Sequence, residues 1–81
     1  MGNIKTAWPE NVIARHLTKA AEIIGDPELT VDVSVGERLI KAACRGCGRD
    51  HENERQYASV TVLPWATAHA EQCRALPKPE A

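Results

Sequence analysis

Two kinds of hydrophobic spacing divide this chain into elements. From Pro9 to Ile24 the apolar residues Ile13, Leu17, Ala20 and Ile24 fall at i, i+4, i+7 and i+11, one stripe of a 3.6-residue period. Arg15, Lys19 and Glu22 sit away from that stripe, and Pro9 suits a first helical turn, so the spacing predicts a helix over residues 9–25. Gly25 can take the left-handed conformation that stops a helix, and Asp26-Pro27 discourages continuation. Thr30 to Val35 alternates strictly instead. Val31, Val33 and Val35 face one way and Thr30, Asp32 and Ser34 the other, which is a half-buried strand. Gly36-Glu37 suits a two-residue hairpin turn, with Arg38 to Ala43 returning so that Ile40 and Ala42 share a face with Val33 and Val31. Leu39, Ile40 and Ala43 also fit a helical face, so a short helix over residues 37–43 is the alternative.

Beyond the hairpin, Gly46 to Gln56 reads as a polar, charged loop, and Tyr57 to Val62 as a short third strand built on Val60-Thr61-Val62. Pro64 opens a second helix, rich in Ala, that runs to about Leu76 and is ended by Pro77 and Pro79. Residues 1–8 form an arm, with Trp8 anchoring the first helix, and residues 77–81 a flexible tail.

Composition adds a problem of stability. The chain has 81 residues, 43% of them hydrophobic, but only 4% are aromatic: Trp8, Tyr57 and Trp65. Ala fills much of the apolar share and buries little area. A single domain of this size needs a staple, such as a disulfide, a metal or a partner chain. No run of about 18 apolar residues exists, so no membrane span is expected. The formal charge is −1. Residues 1–37 carry three basic and six acidic side chains, and residues 38–81 seven basic and five acidic. Met1 to Asn11 has no apolar leader, and the expected compartment is the cytoplasm, with reduced thiols. Met1-Gly2-Asn3-Ile4-Lys5-Thr6 fits an N-myristoylation pattern, which short sequences match often by chance.

The chemistry concentrates in two short motifs. Cys44-Arg45-Gly46-Cys47-Gly48 places two thiolates in one tight turn, and Gly48 can adopt a left-handed conformation that points N–H groups at sulfur. After 21 intervening residues comes His69-Ala70-Glu71-Gln72-Cys73, where i and i+4 share a helix face. Together Cys44, Cys47, His69 and Cys73 supply the donors of a closed tetrahedral site, the set expected of one structural Zn2+. The set uses every Cys in the chain. A redox CxxC would open a helix, an iron–sulfur cluster usually wants four thiolates, and a catalytic zinc keeps one position open. His51, four residues past Cys47, is an alternative ligand to His69. Trp65, four residues before His69, packs over the site, and His16 has no assigned role.

The order knuckle, strand, then helix carrying HxxxC resembles a ββα-type zinc finger with Cys, Cys, His, Cys ligands, over roughly residues 38–76. The gap of 21 residues between ligand pairs departs from the spacing of about 12 in the nucleic-acid-binding class. Trp65 to Leu76 also looks like the C-terminal helix of small Ala- and Arg-rich zinc-binding proteins of actinobacteria and their phages. The resemblance implies a fold and the ligands Cys44, Cys47, His69 and Cys73.

The expected whole is one α+β domain over residues 1–81: an N-terminal helix, a small antiparallel β-sheet and a C-terminal helix around one structural zinc, with residues 30–76 as the finger-like unit. The expected function is a non-enzymatic interaction module docking on a protein partner or forming a homodimer, with no small-molecule substrate. The alternative is a small nucleic-acid-binding regulator using Arg38, Lys41, Arg45, Arg49 and Arg55 around the knuckle, although Asp50, Glu52 and Glu54 interleave with them.

Overall fold

In the computed structural model, which describes residues 8, 9 and 11–76, the alternating valine segment lies inside a four-stranded antiparallel sheet. Strand order follows chain order: β1 (Val12–Leu17), β2 (Thr30–Val35), β3 (Leu39–Cys44) and β4 (Asp50–Glu54). A short helix, α1 (Lys19–Ile24), sits in the connection from β1 to β2. A 3-10 helix, Arg55–Val60, leads from β4 into α2 (Val62–Gln72). The fold is α+β with a C-terminal helix, as expected. Most of the predicted arm and tail, and the Met1–Thr6 acylation pattern, lie outside the described residues.

The core follows from the pleat. Val31, Val33, Ile40, Ala42 and Cys44 all face inward, and cross-strand pairing sets Val31 opposite Cys44, Val33 opposite Ala42 and Val35 opposite Ile40. Helix α2 covers this face with Val62, Ala66 and Ala70, spaced i, i+4 and i+8, all buried. The two alanines let the helix backbone approach the sheet closely. Ala58 and Cys73 complete the cluster, with Ala14, Val35 and Trp65 packed against it.

The predicted helix over 9–25 is corrected to a strand, a cap and six residues of helix. Pairing with β2 takes up the backbone groups of Val12–Leu17, with a bulge at Ile13, and turns Ala14 and His16 toward Val33 and Val31. Of the apolar stripe, Ile13, Leu17 and Ile24 are 55%, 50% and 53% exposed, so its helical spacing does not report burial. Thr18 sets the boundary. Its buried hydroxyl accepts the Ala21 N–H at 3.1 Å and donates to the Leu29 carbonyl at 2.9 Å. Gly25 ends α1 with φ 74°, as its position predicts. Trp8 is half exposed and anchors no helix.

Residues 39–44 are a strand and not the alternative helix. The hairpin register is two residues away from expectation: Glu37-Arg38 form the turn, closed by the Gly36 N–H donating to Leu39 O at 2.8 Å. A two-residue shift leaves every side chain on its predicted face. The expected loop at 46–56 contains β4, whose acids Asp50, Glu52 and Glu54 alternate with His51 and Asn53. The expected third strand at 57–62 is helical instead, because the Thr61 hydroxyl and N–H both donate to the Tyr57 carbonyl, at 2.7 and 3.1 Å. α2 starts two residues before Pro64, whose missing N–H falls among the free donors of the first turn. It ends at Gln72, short of Leu76.

Candidate metal centre

The β3–β4 connection is a knuckle formed by main-chain hydrogen bonds. The Cys44 N–H donates to Arg49 O at 2.8 Å and the Gly48 N–H to Cys44 O at 2.9 Å. Gly48 has φ 85°, the left-handed conformation expected of it, and the next N–H, that of Arg49, donates to Cys47 Sγ at 3.4 Å. The Gly46 and Cys47 N–H groups act on the Cys44 sulfur in favour of its thiolate. The amides of this tight turn therefore favour the thiolate forms of both its cysteines.

The last turn of α2 supplies the other half. His69 lies within the helix and Cys73 at its C-cap, where its N–H still donates to His69 O at 2.8 Å. The one-turn relation between the two side chains is thus kept where the helix ends. The donor atoms of Cys44, Cys47, His69 and Cys73 all lie within 4.8 Å of one another. Cys44 Sγ is 3.6 Å from Cys73 Sγ, and Cys47 Sγ is 3.3 Å from His69 Nε2. Tetrahedral coordination with ordinary zinc–sulfur and zinc–nitrogen bonds would give edges of about 3.8 and 3.6 Å, so the four groups fit such an ion with small adjustments. These residues are placed to bind a metal ion.

The thiols differ in environment. Burial pushes the Cys44 thiol up to about 11, against an ordinary value of 9.0, and the amides at its sulfur offset this only in part. For Cys47 the upward push of burial is the largest single influence. The Arg49 N–H, the Cys44 and Cys73 thiols and the Arg49 charge together outweigh it, so this thiol lies below its ordinary value. Cys44 and Cys73 are buried, and Cys47 is exposed.

Trp65 packs beside the donors. Its indole stacks on the His69 ring with centroids 4.6 Å apart and planes 9° from parallel. His51 also stacks on Trp65, at 5.8 Å and 24°. The structure thus gathers His69, and not His51, with the three thiols, and gives His51 a packing role on the inner face opposite Ala42. Gly46 is a site residue whose role the motif alone does not reveal. A Cβ there would stand 2.7 Å from the carbonyl oxygen of Ala75, so the segment after α2 lies directly on the knuckle.

The five cations of the alternative reading are scattered among acids. Lys41 Nζ is 3.6 Å from Asp50, and Arg45 is 3.4 Å from Glu28. Arg38 and Arg55 line one open groove with Glu37 and Glu54. Arg49 stands beside Cys47. No helix among the described residues is long and apolar enough to cross a membrane. Comparison of the chain with protein-family models, curated proteins and solved structures gives no match.

Proposed function

We propose that this chain is a zinc-stabilised interaction module. One Zn2+ held by Cys44, Cys47, His69 and Cys73 staples a small core, and the domain docks on a protein partner or a second copy of itself without catalysing a reaction. The observation that carries the reading is the convergence of four donors from a knuckle and a helix end within 4.8 Å. Three thiolates and one imidazole favour zinc over hard cations, and four protein donors fill a tetrahedral ion with no position left for substrate. Reduced thiols fit a cytoplasmic setting. The docking half is supported by the exposed apolar side chains of this region, Ile23 and Ile24 of α1 and Leu17 of β1, each at least half exposed. The resemblance to Cys-Cys-His-Cys fingers points the same way.

Native mass spectrometry of the purified chain tests the metal. One zinc per colourless chain is expected, with the cooperative melt lost in chelator; a melt unchanged by chelator overturns the structural role. A mobility shift with random duplex across a salt series tests the nucleic-acid alternative. Salt-sensitive binding that is strongest at low salt would replace protein docking as the function.

A further inference from the structure

The three sulfurs of the centre differ in access, and that asymmetry has a chemical consequence. Cys44 and Cys73 are buried in the core cluster, whereas Cys47, in the knuckle turn, is exposed. All three lie within 4.8 Å of one another, close enough for any pair to join after a small movement. We infer that Cys47 is an oxidation site through which a peroxide opens the metal centre and releases its ion. The inference rests on the metal-binding reading above.

The step balances as follows. The Cys47 thiolate attacks one oxygen of hydrogen peroxide, the O–O bond breaks, hydroxide leaves, and Cys47 becomes a sulfenic acid. A buried neighbour, Cys44 or Cys73, then attacks the Cys47 sulfur as a thiolate. A disulfide forms and a second hydroxide departs. Two thiolates have lost two electrons to the peroxide. The remaining thiolate and His69 are half the original donors, too few to hold zinc in a structural site. The buried sulfurs are shielded from first attack, yet near enough to complete the second step.

The test treats the zinc-loaded 81-residue chain with stoichiometric hydrogen peroxide. Released zinc is read with a chromogenic chelator, and the cysteines by peptide mapping. One zinc released per chain is expected, together with a disulfide that contains Cys47. Cys47→His keeps a donor at that position but removes the exposed thiol, and is expected to slow release by about tenfold or more. Retained zinc with reduced thiols, a Cys44–Cys73 disulfide with Cys47 intact, or release from Cys47→His as fast as from the parent overturns the inference. If Cys47→His takes up no zinc, the peptide map of the parent decides. Zinc absent from the starting protein overturns the metal reading as well, whereas zinc present but unmoved by peroxide overturns only this inference.

Discussion

Two regions of the molecule are held by different means. In the main core, β2, β3 and α2 bury Val31, Val33, Ile40, Ala42, Val62, Ala66 and Ala70 together with two of the cysteines. In the β1–α1 region, the buried cluster among the described residues is Ala20, Ala21 and Leu29, fastened by the Thr18 cap; Leu17, Ile23 and Ile24 of the same region are exposed. One region combines a packed core with four convergent donors. The other depends on hydrogen bonds and a few methyl groups. Identical substitutions in the two regions should therefore have unequal costs.

The largest effect is expected from Cys47→Ala. It removes one donor from a metal site of a kind that contributes on the order of 10 kcal/mol in small domains, so the variant should lose its cooperative melt by circular dichroism. Acid should act in the same direction. Loading the metal displaces thiol protons, and Cys44, held up to about 11, keeps its proton at neutral pH until the metal arrives. The loaded state thus binds fewer protons than the metal-free one, so apparent affinity should rise with pH and fall on acidification. The slope should be about tenfold per pH unit for each proton displaced, as read by competition with a zinc chelator. A flat profile near neutrality would show that no thiol proton is displaced there. Next in size is Ala66→Leu, which forces a larger side chain between α2 and the sheet where no space is left, and should cost about 1–3 kcal/mol in denaturant melts.

The β1–α1 region should respond more mildly. Thr18→Ala removes the α1 cap and should cost about 1 kcal/mol while leaving zinc affinity unchanged. Leu17→Ser is the smallest and most discriminating. On the core face of one long helix this leucine would be costly to replace. On the exposed side of a strand the change should stay within about 0.5 kcal/mol. A large loss at Leu17 would erase the contrast between the two regions.

What could be read from the residues alone follows the same division. Val31, Val33 and Val35 announced a strand because β-branched residues alternate there with polar ones, and the face of Ile40 and Ala42 survived a register shift because two residues restore the pleat. The four donors were legible because metal chemistry restricts residue type and spacing together. The β1–α1 segment departs from its hydrophobic periodicity for a physical reason. Apolar residues at i, i+4, i+7 and i+11 describe a stripe only if the backbone is helical throughout, and the Thr18 cap starts a new element halfway along it. The strand at Asp50–Glu54 did carry a signal, acids alternating with neutral polar residues, but without an apolar face it resembled a solvated loop. The position of Gly46 under Ala75 depends on a contact 29 residues away, which no local pattern encodes.

One of the hydrogen bonds between the two regions ties α1 directly to a metal ligand. The Ala20 N–H, a free donor in the first turn of α1, reaches the carbonyl of Cys73 at 3.0 Å. That amide belongs to the weakly packed region, yet its partner is the main chain of a metal ligand. In hydrogen-exchange terms, its protection is set by the closure of a site more than fifty residues further along the chain. A single backbone resonance, from an alanine with no chemistry of its own, would therefore serve as a gauge of whether the centre is intact.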